Sequence, residues 1–418
     1  MNALVAIRDV ADVVRGVSFD RNEVLDENRD GYLPILRAGN IEGELLLDRD
    51  LVWVPQSRVG AEQRMRPGDI AICMSSGSQA VVGKTAPLRR PWDGSVGAFC
   101  AIVRPKTEKT VPEYLSFFMQ SEGFRAWTRQ SSGANIKIKN IRKTELESFA
   151  LQLPSLDKQR PIVDLLSRAE GIVRLRREAQ AKAAEIIPAL FLDMFGDPAT
   201  NPKEWMEAQL GDLVEEFRYG TSQKSGTSGL AALRIPNVIG NRLDPSEMKL
   251  VDVMESEANR LRLRTGDLLF VRTNGNPDYV GRSAVFEPEI MSAAGCDGSN
   301  CIYASYLIRA RLKANSVRPG FLQSFLSSQE GRKRLREQAR TSAGQYNINT
   351  EGLSSIRVPR PPFDAQVRFE ERSRSVLGIV AQQSEALNKA EAAFQTLLAC
   401  AFSGNLATAA ALKEAAVA

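Results

Sequence analysis

A repeated helical pattern constrains the fold of this chain more than any other feature of its sequence. Residues spaced alternately three and four apart form an apolar series that occurs twice, about 200 residues apart. This spacing is typical of a coiled-coil seam, in which a narrow apolar strip faces a partner helix. We therefore predict two helices of roughly 38 residues each that lie antiparallel against each other. The two series are Ile162, Leu166, Ala169, Val173, Arg176, Gln180, Ala183, Ile187, Leu190 and Met194, and Phe369, Ser373, Val376, Val380, Gln383, Leu387, Ala390, Phe394, Leu397 and Ala401.

The sequence that precedes each long helix is also repeated. Arg66-Pro67-Gly68-Asp69 returns as Arg264-Thr265-Gly266-Asp267, and residues 36–40 return as residues 233–237. We predict an α+β fold in which two similar domains are separated by the antiparallel coiled coil. Strands are predicted at residues 7–10, 33–40, 51–54, 70–74 and 99–103, and helices at 112–128 and 321–340. The predicted boundaries are 1–155 and 198–361 for the two domains, 156–197 and 362–404 for the two helices, and 405–418 for an Ala-rich tail.

Histidine is absent from the sequence, and its absence excludes several classes of catalytic site. Neither a Ser-His-Asp or Cys-His triad nor a metal site that uses histidine can be built. The five cysteines form no C-x-x-C pair and are expected to be reduced thiols of a cytoplasmic protein. No apolar run approaches the roughly 20 residues that span a bilayer, so no membrane association is predicted. The net charge of +5 is compatible with a nucleic-acid partner.

Two motifs resemble catalytic signatures but do not complete them. Gly77-x5-Gly83-Lys84-Thr85 has five residues between the glycines, whereas a phosphate-binding P-loop has four. Pro87 also disfavours the helix that a P-loop requires, and the second copy carries the same frame at Gly275-x5-Gly281-Arg282-Ser283. Glu247-x-Lys249 resembles part of a nuclease site but lacks the upstream Pro-Asp pair. We predict turns that present a basic and a hydroxyl side chain, and no catalytic residue in this chain.

Polar and basic residues occupy the predicted turns of both copies. Arg and Lys can read guanine, Asn and Gln can read adenine, and Lys and Arg also hold phosphates. Loops are polar in most proteins, so for any single residue a structural role is equally open. The two copies place such residues in matching loops whose sequences differ, which favours two readers of two different short DNA sequences. The candidate DNA-binding residues are Arg37, Asn40, Ser75, Ser76, Ser78, Gln79, Lys84, Asn135, Lys137, Lys139 and Arg142 in the first copy, and Arg234, Asn237, Arg272, Thr273, Asn274, Asn276, Arg282, Gln345, Tyr346 and Asn347 in the second.

Two distinctive segments flank the first long helix. Residues 151–159 (Leu-Gln-Leu-Pro-Ser-Leu-Asp-Lys-Gln) lead into the helix, and Phe195-Gly196-Asp197-Pro198 with Asn201-Pro202-Lys203 follows it. In these segments the chain resembles the specificity subunits of type I restriction–modification systems. The two similar domains and the two long helices match as well, so the resemblance covers essentially the whole chain. The family often has Pro-Pro-Leu-x-Glu-Gln before the helix, and residues 155–159 and 362–366 both lack the glutamate.

The resemblance implies a non-catalytic subunit that reads double-stranded DNA. Each target recognition domain would contact one half of a split, asymmetric site, and the helix pair would act as a ruler that fixes the spacer between the halves. Faces of the helices would bind two modification (methyltransferase) subunits that carry S-adenosylmethionine. Restriction (helicase–nuclease) subunits would complete the complex. No cofactor is expected in this chain itself.

Two functions from other classes remain open on the sequence alone. A self-contained DNA-modifying enzyme would transfer methyl groups from S-adenosylmethionine without a partner. A coiled-coil scaffold or toxin-neutralising interaction protein would have no role on DNA. Methyl transfer by the purified chain would favour the first of these, and a salt-dependent, sequence-selective shift of DNA would exclude the second.

Overall fold

The structure, a computed structural model, describes residues 3–131, 139–342 and 344–402. It contains two compact units. One comprises the residues up to Arg177 and those from Glu385 onward, and the other comprises Glu178–Ser384. Each unit therefore contains one of the two sequence copies together with a part of each long helix. The predicted Ala-rich tail, residues 405–418, lies outside the described residues.

Short strands and helices make up the first copy. Its strands are β1 (Ala3–Ala6), β2 (Ala11–Arg15), β3 (Tyr32–Leu36), β4 (Val52–Pro55), β5 (Ile70–Cys73), β6 (Ser75–Ser76), β7 (Thr85–Pro87), β8 (Ser95–Val96), β9 (Cys100–Pro105), β10 (Lys139–Asn140) and β11 (Ala150–Leu153). Its helices are α1 (Ile7–Val10), α2 (Pro112–Gln120), α3 (Glu122–Ser131) and α4 (Lys143–Ser148), followed by the long helix α5 (Leu156–Phe195).

The second copy repeats this order with additional short strands. Its strands are β12 (Glu207–Gln209), β13 (Val214–Tyr219), β14 (Ser225–Gly226), β15 (Leu230–Leu233), β16 (Val238–Ile239), β17 (Arg242–Leu243), β18 (Lys249–Val251), β19 (Leu268–Val271), β20 (Thr273–Asn274), β21 (Ser283–Val285), β22 (Ile302–Tyr303), β23 (Leu307–Leu312), β24 (Arg340–Ser342), β25 (Gln345–Asn347) and β26 (Arg357–Pro359). Its helices are α6 (Leu210–Leu213), α7 (Glu255–Leu261), α8 (Pro288–Ala293), α9 (Pro319–Ser327), α10 (Gln329–Gln338) and α11 (Thr350–Ser354), followed by the long helix α12 (Phe363–Phe402).

The two copies share a four-stranded antiparallel sheet. Its strand order is β2-β9-β5-β7 in the first copy and β13-β23-β19-β21 in the second. All residues of β5 and β19 are buried, as expected for continuous short apolar runs. A parallel pair accompanies the sheet in each copy, β3 with β8 and β15 with β22. The predicted α+β class and the internal duplication are therefore confirmed.

Three local predictions for the first copy are wrong. Residues 7–10, predicted as a strand, form the one-turn helix α1, because Ile7 and Val10 are both buried at a spacing of three residues. The strand predicted for residues 33–40 ends at Leu36, and a 3-10 turn follows it. The helix predicted for residues 112–128 is divided into α2 and α3, because Ser121 between them adopts an extended backbone conformation.

The two long helices confirm the prediction made from the repeated series, and each contains 40 residues. In the first unit, Ile162 near the start of α5 belongs to the same apolar cluster as Leu397 near the end of α12. In the second unit, Phe191 near the end of α5 lies against Phe369 near the start of α12, with ring centroids 5.7 Å apart. The helices are therefore antiparallel. No helix in the described ranges is both long and apolar enough to cross a membrane.

The seam between the helices follows the predicted series closely. Every predicted position is buried or half-buried except Arg176, which is exposed. Polar contacts join the helices near their middles, where Gln180 Nε2 donates to Ser384 Oγ (2.7 Å) in the second unit. In the first unit, Arg177 Nη2 donates to Glu391 Oε1 (2.6 Å). Polar contacts of this kind can fix the register of an otherwise apolar seam.

A buried glutamine joins each copy to the start of its long helix. Gln159 Oε1 accepts the N–H of Val111, which precedes α2, and its Nε2 donates to the carbonyl of Pro154 (2.8 Å each). Gln366 repeats both bonds, because it accepts the N–H of Arg318 before α9 and donates to a proline carbonyl before α12 (2.9 Å each). These glutamines end the two sequence runs, residues 155–159 and 362–366, that lead into the helices.

Candidate nucleic-acid interface

An aspartate–arginine clamp lies at the same place in each copy and fixes the turn before the central strand. In the first copy, buried Asp69 accepts Nε and Nη2 of Arg104, at 2.9 and 2.7 Å. In the second, buried Asp267 accepts the same two atoms of Arg311, again at 2.9 and 2.7 Å. Each aspartate also accepts a backbone N–H of its own turn at 2.8 Å. The repeated Gly-Asp signal in the sequence therefore belongs to the shared frame.

Arg37 and Asn40, with their counterparts Arg234 and Asn237, close a turn after β3 and β15. Asn40 is 1% exposed, and its side chain accepts the Arg37 N–H and donates to a later loop carbonyl (2.8 Å each). Asn237 is equally buried and repeats both bonds at 2.8 Å. Both arginines also donate Nη2 to a loop carbonyl, at 3.0 and 2.9 Å. Because both amides are buried and already hydrogen-bonded within the protein, we leave Asn40 and Asn237 out of the proposed interface.

In the first copy, the loop between β6 and β7 presents Lys84 and is held from behind by helix α3. Arg125 donates to the carbonyls of Ala80 and Val82, at 3.0 Å each. Gly83 has a φ of 75°, and a Cβ there would lie 2.4 Å from the hydroxyl of a buried threonine of α3. Glycine is therefore required where the loop approaches the helix. The strand β7 begins directly after Lys84, where a P-loop would begin a helix.

In the second copy, the equivalent loop lies among three arginines. Arg332 on α10 donates to the carbonyls of Asp278 and Val280, at 3.0 and 2.8 Å. Burial lowers the pKa of Arg332, and the nearby positive charges of Arg336 and Arg282 lower it further. Positive charge concentrated beside an exposed loop is suited to holding a phosphate of nucleic acid.

Five predicted residues of the second copy come together on the three-stranded sheet β20-β25-β24. Thr273 of β20 pairs with Asn347 of β25, and Asn274 pairs with Tyr346. Thr273 Oγ1 also donates to Gln345 Oε1 at 3.4 Å. The residues predicted as a polar loop thus contain strands, and this sheet brings together side chains that are distant in sequence. Because side chains alternate along a strand, Thr273, Gln345 and Asn347 lie on one face of the sheet and Asn274 and Tyr346 on the other. We call this sheet the second-copy strip.

The remaining second-copy candidates flank the second-copy strip. The guanidinium of Arg272 lies 4.8 Å from the ring centroid of Tyr219, and that of Arg282 lies 3.8 Å from the ring centroid of Tyr279. Both tyrosines are exposed, and the sequence reasoning did not select either. Asn276 is exposed in the loop after β20. Arginines that stack on aromatic rings are oriented by them while their N–H groups stay available to a ligand.

Two paired strands occupy the same place in the described part of the first copy. Strand β6 pairs with β10, which sets Ser76 opposite Lys139 and Ser75 opposite Asn140. We call this pair of strands the first-copy strip. Gln79 is exposed in the following loop, where its Nε2 donates to the carbonyl of Arg129 at 3.0 Å. Within the described residues, the first-copy strip carries different side chains from its counterpart.

The other first-copy candidates that the structure describes lie in loops near these two strands. Ser78 is exposed in the loop that also presents Lys84, which is half-buried. Arg142 is exposed immediately before α4, two residues after β10. Asn135 and Lys137 lie outside the described residues.

Sequence reasoning missed two exposed aromatic residues at one structural position. The side chain of Phe99 is 67% exposed and that of Tyr306 is 58% exposed. Each occupies the turn before the second strand of the four-stranded sheet, β9 or β23. The main-chain carbonyl of Phe99 accepts the N–H of Ser75 (3.0 Å), and that of Tyr306 accepts the N–H of Arg272 (2.9 Å). An aromatic residue at the same place in both repeats was the signal that could have revealed them.

Comparison with known proteins establishes the family of this chain. Residues 2–183 match the family described as Type I restriction modification DNA specificity domain. The chain is 30% identical to the Type I restriction enzyme EcoKI specificity subunit of Escherichia coli (strain K12), over 96% of this chain and 88% of that protein. It is 31% identical to the Type I restriction enzyme StySPI specificity subunit of Salmonella potsdam, over 97% of this chain and 89% of that protein.

The fold agrees with this similarity in sequence. A solved chain from work on complex assembly and conformational transition of the type I R-M system superposes with a TM-score of 0.55. The match covers 97% of this chain and 98% of that chain at 17% identity, so it establishes the fold alone. From the sequence relatives, this chain belongs to the family of type I restriction–modification specificity subunits, the DNA-recognition components of restriction enzymes, which are not themselves catalytic.

Proposed function

We propose that each copy of this chain reads one half of a bipartite, asymmetric site in double-stranded DNA. The observation that supports this proposal is the contrast between a shared frame and different surfaces. The clamps Asp69–Arg104 and Asp267–Arg311 match bond for bond. The first-copy and second-copy strips beside them carry different side chains. A common scaffold with different surface groups suits two readers of different base sequences.

The second-copy strip has the chemistry for direct contact with base edges. Gln345 is exposed and Asn347 is half-buried, and either amide can bond to the N6 and N7 atoms of adenine. Arg282 has a guanidinium suited to guanine or to a phosphate. The first-copy strip offers the hydroxyls of Ser75 and Ser76, which bond to several bases.

We further propose that modification subunits dock on the long helices, supply S-adenosylmethionine and the methyltransferase activity, and are joined by restriction subunits. Large apolar side chains that are exposed on a helix often mark contacts with another protein. In the first unit, Ile172 and Leu175 on α5 are 53% and 58% exposed. In the second unit, Leu377 and Ile379 on α12 are 45% and 48% exposed. No cofactor is assigned to this chain.

Selection of binding sites from a pool of random DNA duplexes by the full chain tests the reading of DNA. We expect two short conserved blocks separated by a fixed spacer of unconserved bases. Gln345→Ala and Asn347→Ala should relax one block, by about five- to a hundredfold in the preference for its bases, and leave the other block unchanged. Asn259→Ala, which removes an exposed amide on α7, is the matched control and should select the wild-type site.

Three results would contradict this proposal. Equal weakening on every sequence would mean that Gln345 and Asn347 hold phosphates and do not read bases. Methyl transfer from S-adenosylmethionine to DNA by the purified chain alone would indicate a self-contained enzyme. The absence of any salt-dependent binding to duplex DNA would indicate a scaffold protein.

A further inference from the structure

We propose that Phe99 and Tyr306 stack on the bases of a partly opened base step, one ring in each half-site. This inference rests on the proposed function, because it assumes that the two copies lie on DNA. The proposed stacking does not depend on base sequence, and the two rings lie next to the residues proposed to read sequence.

The exposure of Phe99 is exceptional within this molecule. All 17 phenylalanines lie within the described residues, and Phe99 is the only one that is exposed. A ring that stays in water forgoes the hydrophobic stabilisation that the other sixteen rings gain in part or in full. A chain that buries every other phenylalanine at least in part therefore has a use for this ring outside its own core.

Tyr306 occupies the same position in the second copy, as the hydrogen bonds of the two turns show. The N–H of Gly97 donates to the Leu36 carbonyl, and the N–H of Ala304 donates to the Leu233 carbonyl, both at 2.9 Å. The N–H of Cys100, the first residue of β9, then donates to the carbonyl of Gly97 at 2.8 Å. Likewise, the N–H of Leu307, the first residue of β23, donates to the carbonyl of Ala304 at 2.9 Å. Each aromatic residue lies two positions after the residue that begins this turn. The two copies thus place an exposed aromatic ring at the same point of the fold.

Both turns are bonded directly to the residues proposed to read DNA. The carbonyl of Phe99 accepts the N–H groups of Met74 and Ser75, at 2.8 and 3.0 Å. The carbonyl of Tyr306 accepts the N–H of Arg272 at 2.9 Å, and Arg272 Nη1 also donates to the carbonyl of Ser305 at 3.4 Å. A duplex that contacts either strip therefore passes within reach of the ring beside it. The guanidinium of Arg272 lies beside Tyr306, and its positive charge favours negatively charged DNA as the partner of this ring.

The pattern of change between the copies favours stacking over a contact with a particular base. Ser75 of the first copy corresponds to Thr273 of the second, and Ser76 corresponds to Asn274, so the reading surface differs. The aromatic ring is present in both. Stacking tolerates any base, because every base has a flat face, whereas contact with a thymine methyl group would depend on the half-site. Apolar side chains that enter a base step unstack it and bend the duplex, and this role does not depend on sequence.

The test uses the full chain and the duplex obtained from the random pool, with 2-aminopurine replacing one base at a time. We expect wild-type protein to change the fluorescence of the probe at one step in each half-site, because the probe there loses contact with a neighbouring base and gains contact with an aromatic ring. Phe99→Ala should abolish the change in the first half-site and Tyr306→Ala the change in the second. Each substitution should weaken binding about tenfold, with the same dependence on salt as the wild type, because no charge is lost.

Matched controls separate this role from loss of folding. Leu4→Ala and Met254→Ala remove exposed apolar side chains that are 71% and 74% exposed, and neither should alter the fluorescence or the affinity. Tyr306→Phe keeps the ring and should behave as the wild type. The melting temperature of each variant should match that of the wild type, because both aromatic side chains lie outside the core.

Each remaining outcome overturns the inference. If Phe99→Ala and Tyr306→Ala give the same fluorescence as the wild type at every step, the rings do not contact the bases of an opened step. A loss of affinity that is reproduced by replacing thymine with uracil would identify a contact with a methyl group. Unchanged DNA binding with weaker co-purification of modification subunits would identify a protein contact. If the wild-type chain selects no duplex, the proposed function fails as well, and this result is distinct from the others.

Discussion

Single buried residues in this protein account for sequence signals that look weak on their own. Asp69 and Asp267 are each 2% exposed, and each holds an arginine from the neighbouring strand. Gln159 and Gln366 are buried and join each copy to its long helix. A buried polar side chain is costly unless its hydrogen bonds are complete, so replacing any of these four side chains should leave buried groups without partners.

At this scale we predict that Arg311→Leu destabilises the second copy by about 3–5 kcal/mol. The change leaves the carboxylate of Asp267 buried without its partner, and desolvation of an unpaired charge is the main cost. Hydrogen exchange should rise in β19 and β23 and stay unchanged in β5 and β9 of the first copy. Arg64→Leu is the control, because its ion pair with Asp93 is largely exposed and contributes at most about 1 kcal/mol. Equal effects of the two changes would contradict a structural role for the clamp.

At the scale of elements, a helix behind each exposed loop sets the position of that loop. Arg125 on α3 and Arg332 on α10 each donate to two carbonyls of the loop in front of them. Neither arginine was selected from the sequence, because a basic residue on an amphipathic helix normally faces water. Both arginines are half-buried, which lowers the pKa of both guanidinium groups, and their hydrogen bonds go to the loops. These helices therefore serve as supports for the proposed reading surface.

We expect Arg332→Met to loosen the loop that contains Asn276 and Arg282. Two hydrogen bonds from a charged donor are lost, each of which contributes roughly 1.5–3 kcal/mol. Hydrogen exchange should increase at residues 276–282, and affinity for the second half-site should fall about tenfold while the first half-site is read normally. Lys333→Met is the matched control, because Lys333 is exposed on the same helix and its ion pair is with Glu330 of α10, at 3.9 Å. A uniform loss of affinity for both half-sites would refute the positioning role.

The contrast between helices and strips shows what the sequence could predict and why. The seam of α5 and α12 repeats every three or four residues, so a local pattern predicts it almost position by position. The strips depend on pairing between distant segments, as in Ser76 with Lys139 and Asn274 with Tyr346. Local propensity carries no information on such registers. The polar residues were therefore predicted as loops, and the exposed rings beside them were not predicted at all.

At the scale of the whole molecule, duplication combines a common frame with two separate surfaces. Each copy carries the same four-stranded sheet, the same clamp and the same glutamine at the start of its helix. Each unit also contains parts of both long helices, packed antiparallel. A change on one strip can therefore alter one half of the proposed DNA site while the frame of the other copy keeps its own contacts.

The length of the helix pair should set the spacer between the two half-sites, as a ruler would. Insertion of seven residues after Arg177 and seven after Ser384 keeps the alternation of the seam and lengthens each helix by roughly 10 Å. At 3.4 Å per base pair, the spacer of the selected site should grow by about three base pairs while both blocks keep their sequences. Insertion of seven residues after Glu108, in an exposed turn of the first copy, is the control and should leave the spacer as it was. If the protein with lengthened helices selects DNA with the original spacer, the separation of the half-sites is set elsewhere in the complex. The helices would then only hold the two copies together.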